Sequence, residues 1–310
     1  MNKINLSYVI TTRNKLPYLK EVMARLLANV QEDEEIIVTD GASTDGTVEY
    51  LKDLYQQGKI HQFISEPDRG ESHGYNKGFL MARGELIKDL TDDDAFYFPA
   101  IQECKKFMLE HQEVDVMSGN QAEVDIENIK NINSLTILTD SEQNYHQWLK
   151  NGSVVSLHGL PFMIRKKSLA FTGLYSTDVV WPDFEYSLRI TKLNVNIAWN
   201  TAMIAIRIEN FQSNFRNLLR GKPRYLEDRS RILFFYDFRY RKTYYKEMIR
   251  GFLRPIKRAV YQLFGLATKG KSSAMVDKKD ESLIVDAFAI CDRLMEEYNS
   301  KNNSKIIFKI

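Results

Sequence analysis

An α/β fold on a mainly parallel sheet with flanking helices is predicted by three features of the chain. Short apolar runs alternate with amphipathic segments through the first half, the pattern of successive strand and helix units. Polar and acidic residues, among them Thr11, Arg13, Asp40, Asp68 and Asp92 to Asp94, fall just past the ends of those runs. Ligands of open parallel sheets bind beyond the carboxyl ends of the strands. The 310 residues, 44% of them apolar and 27% charged, are ordinary for a globular protein with a substantial core.

Ser7 to Thr12 reads as the first strand. Pro17 suits a first helical turn, and Leu19, Val22, Met23, Leu26 and Leu27 then recur at helical spacing. Glu35 to Thr39 is the second strand, ending at Asp40, and Gly41 to Gly46 is a turn before a helix marked by Val48, Leu51 and Leu54. His61 to Ser65 makes a third strand and Glu66 to Gly70 a loop. A helix from about Ser72 to Arg83 carries Lys77, and Leu86-Ile87 begin a fourth strand. Beyond Pro99 the pattern loosens. Ile101 to His111 reads as a helix, Val114 to Met117 as a strand, and Val124 to Thr139 as a small antiparallel excursion. Leu160 to Ile164 reads as another strand before the basic turn Arg165-Lys166-Lys167, and Phe184, Leu188 and Ile190 mark a short helix. After Phe211 the chain reads as helical to Leu266, with a polar linker over Thr268 to Lys279 and a last helix from about Ser282 to Tyr298.

Asp92-Asp93-Asp94 stand at the tip of the fourth strand. Like charges this close raise one another's pKa, so such a cluster calls for a cation or a cationic ligand group among them. Hard carboxylate oxygens favour Mg²⁺ or Mn²⁺, ions that commonly bridge to a diphosphate. Acids also open helices, and an acidic turn is the competing explanation. Cys104 and Cys291 lie far apart, outside any metal-ligand spacing, and fit a reducing compartment. The N-terminus reaches Thr11-Thr12-Arg13-Asn14 too soon for a signal-peptide core, and no run of eighteen apolar residues predicts a spanning helix. The net charge of +2 conceals a segregation: Arg207 to Tyr261 hold 15 Lys and Arg against 5 Asp and Glu, a local +10 on an otherwise acidic body.

Four ordered segments carry a family resemblance. They are Ser7 to Asn14; Asp40-Gly41-Ala42-Ser43-Thr44-Asp45-Gly46-Thr47; Glu66-Pro67-Asp68-Arg69-Gly70 with Asn76-Lys77-Gly78; and Leu90-Thr91-Asp92-Asp93-Asp94. Together they resemble the inverting family 2 glycosyltransferases, enzymes of the GT-A fold, over roughly the first hundred residues. The resemblance implies a nucleotide-sugar donor, a UDP-sugar by family analogy. Asp40 would accept the imide N–H of a uracil, while Thr11 and Arg13 would line the base and ribose side. Lys77 would reach the diphosphate or pair with Asp68. The acid motif aligns in two registers, Asp92 with Asp94 or Asp93 with Asp94; Asp94, common to both, is the expected metal ligand. Asp92 or Asp93 would then contact the ribose or a metal-bound water.

Downstream, Val180 to Arg189 resembles the family segment that opens an acceptor-side helix, with Pro182 where an acid often stands. The resemblance puts Asp183 at the catalytic-base position, with Glu185 as second candidate; one carboxylate within reach of the acceptor hydroxyl suffices for inversion. His158 and Trp181 are candidate acceptor contacts, the latter as a stacking face, although both residue types also serve as core packing.

Between Phe211 and Tyr261 aromatic residues interleave with arginines and lysines. An anionic membrane or a nucleic acid fits such a surface, and so does a helical unit packed on the body. With the resemblance, the membrane is the expected partner and no nucleic acid is.

The expectation is therefore a metal-dependent, inverting, hexosyltransferase-type enzyme, with a catalytic domain over 1–210 and a basic helical extension over 211–310. Within the former, 1–100 would bind nucleotide and 101–210 the acceptor. The acceptor would be a glycan or lipid-linked sugar in surface-polysaccharide assembly, handled in the cytoplasm at the inner face of the membrane. A nucleotidyltransferase is the first alternative, but it calls for a glycine-rich loop after the first strand, and Thr11 to Lys15 contain no glycine. A noncatalytic nucleic-acid-binding module using the basic tail is the second.

Overall fold

The computed structural model describes residues 3–131, 136–210, 212, 224–263 and 278–309. Its strands are β1 (Leu6–Thr12), β2 (Glu34–Asp40), β3 (Gln62–Ser65), β4 (Leu86–Leu90), β5 (Ala95–Phe96), β6 (Val116–Asp125), β7 (Thr136–Ile137), β8 (Met163–Arg165), β9 (Ile197–Glu209) and β10 (Ile306–Ile307). Its helices are α1 (Leu16–Asn29), α2 (Thr47–Gln56), α3 (Glu71–Met81), α4 (Phe98–Glu110), α5 (Asp140–Asn151), α6 (Leu169–Thr172), α7 (Pro182–Lys192), α8 (Arg224–Tyr236), α9 (Arg241–Leu263) and α10 (Lys278–Lys301).

The sheet runs β10-β9-β6-β8-β4-β1-β2-β3. Strands β3, β2, β1 and β4 are mutually parallel, with Thr12 level with Asp40 and Asp40 level with Ser65. That register brings three loops to one edge. Alternation along β1 and β2 sends Tyr8, Ile10, Ile36 and Val38 to one core and Val9 and Ile37 to the other, as strands buried on both faces require. The first core is covered by α1, α4 and α10, the second by α3, α5 and α7. Helix α3 lies unusually close to the sheet. A Cβ on Gly74 would fall 2.0 Å from the Thr11 hydroxyl and one on Gly78 2.2 Å from Val9, so both must be glycine.

Several expectations change here. Helix α5 and the 13-residue strand β9 were not anticipated. Strand β6 extends ten residues rather than four, its polar Ser118, Asn120 and Gln121 buried where the ladder with β9 slips register. Arg165, read as the start of the basic turn, ends β8 instead and is fully buried, donating to the carbonyls of Met108, His111 and Val114 and to Glu85. The boundary at 210 fails for the C-terminus as well. Ile284, Phe288, Cys291 and Met295 of α10 lie in the first core, Arg25 pairs with Asp292 at 2.8 Å, and β10 joins the sheet beside β9. The separate extension among the described residues is thus the hairpin α8–α9. Its expected helical start at 211–223 and the linker up to 277 fall outside them.

Candidate active site

The carboxyl edge of β1, β2, β3 and β4 gathers the expected residues. Asp92, Asp93 and Asp94 leave β4 and are all buried. Their charges are handled differently. The ammonium of Lys15, from the loop after β1, lies 2.5 Å from Asp93 and 3.3 Å from Asp92, and Asn210 donates to Asp93 at 2.8 Å. Asp94 has only neutral donors, the Thr91 hydroxyl at 2.7 Å and the Ile208 N–H at 2.8 Å. Burial, and then the Asp93 charge, push its carboxyl well above the usual range. Asp92 is raised too, by burial, with Lys15 opposing. Of the three, Asp94 is therefore the carboxylate that forms no ion pair among the described residues.

Two or three hard carboxylates with room for few other protein ligands suit a divalent cation completed by phosphate oxygens. Among the described residues no group of three or more His, Cys, Asp or Glu side chains is arranged to hold a metal ion by itself, so a cation here would need ligand oxygens from outside the protein. The residues fit a cation shared with a diphosphate.

Asp40 is fully buried and accepts from the Ser43 N–H at 3.0 Å, the Ser43 hydroxyl at 2.5 Å and the Ser65 hydroxyl at 2.6 Å. As placed it ties the turn after β2 to β3, and a uracil imide would have to displace a serine. Ala42 has φ 57° in that turn and Gly46 φ 94°, left-handed values that favour glycine at the second position. Thr11 is nearly buried and packs on α3, whereas Arg13 is exposed, its stem against Gly41. Of the two possibilities for Lys77, pairing is observed: its ammonium lies 2.7 Å from Asp68 and 3.3 Å from Glu66.

Across the cleft, Asp183 occupies the first turn of α7 with its side chain open to solvent. Gly159 presses against it, since a Cβ there would fall 2.5 Å from that of Asp183. The protein walls around it raise its carboxyl above the usual range, with the Phe184 N–H, His158 and Arg207 acting in the other direction. Glu185, the second candidate base, is engaged elsewhere: buried, it pairs with Arg189 at 2.7 Å and accepts from the Tyr236 hydroxyl of α8. His158 faces the same cleft, its N–H bound to Ser141 Oγ, its Nε2 3.4 Å from Asp140 and its Nδ1 buried without a hydrogen bond. Trp181 meets Phe184 edge-on at 5.7 Å, half-buried at the start of α7.

Three contributors escaped the sequence reading. Lys15 follows Thr11-Thr12-Arg13-Asn14 directly, and a lysine at an edge rich in acids was the available signal. Asn210 arrives from the end of β9, an element the sequence did not reveal. Glu71 opens α3 beside the cleft mouth. Its carboxyl is accessible to solvent, yet the surrounding protein strips its hydration and raises it to about 7, Lys15 opposing while Asp183, Asp92 and Asp93 add to the rise.

Comparison with known proteins follows the same outline. The model of glycosyl transferase family 2 matches residues 7–172. A poly-beta-1,6-N-acetyl-D-glucosamine synthase of Staphylococcus epidermidis is 22% identical over 206 residues, 63% of this chain and 47% of that protein. An uncharacterized glycosyltransferase of Nostoc is 27% identical over 130 residues, 39% of this chain and 40% of the relative. The chain thus spans about half the length of the curated relatives it matches. Among solved structures, S. aureus TarS 1-349 in complex with UDP-GlcNAc superposes with a TM-score of 0.59 at 14% identity, covering 98% of this chain and 96% of that one. The mannosyltransferase PcManGT from Pyrobaculum calidifontis, in complex with GDP-Man and Mn²⁺, gives a TM-score of 0.53 at 14% identity, covering 97% of this chain and 75% of that one. At such identity the likeness establishes the fold, which is GT-A.

Proposed function

We propose, because the chain belongs to glycosyl transferase family 2, that its cleft moves a sugar from a nucleotide-sugar, a UDP-sugar in our reading, to a glycan or lipid-linked acceptor in surface-polysaccharide assembly. The observation that carries this is the acid cluster at the nucleotide edge together with a solvent-accessible carboxylate, Asp183, in the first turn of α7. Together they provide what displacement at an anomeric carbon requires.

Asp94 and Asp92 would hold Mg²⁺ or Mn²⁺, which when bound neutralises the diphosphate as it departs. Lys15 and Asn210 hold Asp93 in place, and Lys15 presents a positive charge at the same edge. Thr11, Arg13 and Asp68 with Lys77 line the donor side, and Asp40 reads the base once a serine hydroxyl yields. Asp183 takes the proton of the acceptor hydroxyl. Its raised pKa suits that role, because a base is most effective when its pKa approaches the operating pH. Attack from the Asp183 side, opposite the nucleotide, gives inversion. His158 and Trp181 flank that carboxylate as acceptor contacts. The setting in this reading is the inner face of the membrane, held peripherally through the basic stretch.

The test is a panel of UDP-sugars assayed for UDP release with Mg²⁺ or Mn²⁺ and with chelator. Cation-dependent release from one or a few donors is expected. Release of pyrophosphate from a nucleoside triphosphate and a sugar phosphate would instead identify a nucleotidyltransferase.

A further inference from the structure

Resting on the peripheral setting proposed above, we propose that the outward face of α9 is a docking surface for an anionic lipid bilayer, on which the helix lies in the plane of the headgroups. Helix α9 shows solvent a stripe of apolar side chains that a helix of a water-soluble body ordinarily buries. The face it turns toward α8 is aromatic at one end and small and polar along the rest: Tyr244 stacks on Phe234 of α8 at 4.9 Å, a Cβ on Gly251 would collide with Glu227 of α8, Arg254 pairs with that Glu227 at 2.9 Å, and Glu247 is buried beside Arg250 at 2.5 Å. The face it turns to solvent is apolar. Tyr245, Met248, Ile249, Phe252, Leu253 and Ile256 recur at intervals of three and four and form one stripe, each about half exposed or more, with Phe252 at 76%. At the tip of the hairpin Phe235 is 80% and Phe238 65% exposed as well.

Charge selects the occupant. Between Arg241 and Ile256 there are five cations and one acid, Glu247, which is buried. Lys242 and Lys246, one turn apart and both exposed, follow the edge of the stripe. An apolar stripe bordered by lysines matches the boundary between acyl chains and anionic headgroups. A second copy of the chain would bring the same lysines against one another across a twofold axis. Crossing the bilayer is not the mode, because among the described residues no helix is long and apolar enough to span it.

The experiment is co-sedimentation of the full chain with vesicles of phosphatidylglycerol and phosphatidylcholine, or of phosphatidylcholine alone. Binding to the anionic vesicles is expected, with at least about tenfold weaker partitioning into the neutral ones. The double variant I249S/F252S should lower partitioning about tenfold or more, since two apolar anchors are lost. The variant K242E/K246E should weaken binding to anionic vesicles and blunt its salt dependence. UDP binding, followed by calorimetry, should be unchanged in both variants, because neither touches the cleft. The proposal is overturned if the wild type ignores anionic vesicles while still binding UDP, or if I249S/F252S partitions like wild type. A dimer that dissociates in I249S/F252S, without vesicle binding, would assign the face to a second copy and overturn it too. Vesicle binding without UDP binding would leave the surface standing and remove the donor reading instead.

Discussion

The acid cluster and the α8–α9 hairpin break the ordinary partition of residue types in opposite directions. One buries three adjacent carboxylates; the other shows water a stripe of apolar side chains. Both are costly in isolation, since buried charge loses hydration and exposed apolar surface orders water. The difference lies in how far the chain itself offsets the cost. At the cluster, Lys15 and Asn210 engage Asp93, while Thr91 and the Ile208 N–H give Asp94 neutral donors only. On α9 nothing among the described residues covers the stripe. In the proposed reading, the cluster would be completed by a small ligand and the stripe by a large surface.

Four variants would sharpen or break that contrast. The largest effect is expected from Asp94→Ala, which removes the carboxylate lacking a cationic partner. Cation-dependent UDP release should fall by about a thousandfold or more, with the circular dichroism spectrum intact. Wild-type turnover in that variant would withdraw the metal assignment. Next, Asp183→Asn should reduce kcat by roughly a hundred- to ten-thousandfold while UDP affinity holds. A drop in affinity with kcat preserved would move Asp183 from base to donor contact.

The third variant separates neutralisation by protein from neutralisation by metal. Lys15→Met leaves Asp92 and Asp93 buried without their ammonium and should cost about 3 kcal/mol of stability in chelator, read from urea midpoints. Added Mn²⁺ should then raise the midpoint more in the variant than in wild type. An equal response would mean that Lys15 and the cation do not share the same charge.

The smallest effect concerns pH. Glu71 is raised to about 7 in the folded protein, above its unfolded value. The folded state therefore binds the extra proton over that interval, and its contribution to stability is present at low pH and lost as pH rises toward 7. Metal-free wild type should lose stability between about pH 4.5 and pH 7. Glu71→Gln should flatten that slope, and an unchanged slope would exclude Glu71 as its source.

Legibility in the sequence followed the same physics. In the first hundred residues strand, turn and helix follow one another with little interruption, so β1 to β4 and the acids at their ends were readable from apolar runs and turn residues. Strand β9 was not, because both its faces are buried and Asn200 and Thr201 interrupt its apolar run, giving no alternation to read. Helix α5 was missed since only Ser141, Tyr145 and Trp148 of its twelve residues are buried. The acids Asp92 to Asp94 and Asp183 stand in local motifs, whereas Asn210 and the Arg165 network depend on partners brought from far along the chain. Helix α10 reads as an appendage because a long stretch separates it from the body. Its core membership appears only in three dimensions, where Phe288 is fully buried and Arg25 lies over its ring at 5.0 Å. The outward placement of the apolar stripe on α9 likewise could not be read: periodicity reveals a stripe but not which way it faces.

The central claim is that a cation and a nucleotide diphosphate are bound together at the cluster around Asp94. Calorimetric titration of UDP into the protein, with Mn²⁺ and then with chelator, tests it most directly. UDP binding that requires Mn²⁺ and disappears in Asp94→Ala is the expected result. Binding of equal strength with and without the cation, or no binding in either, would contradict it.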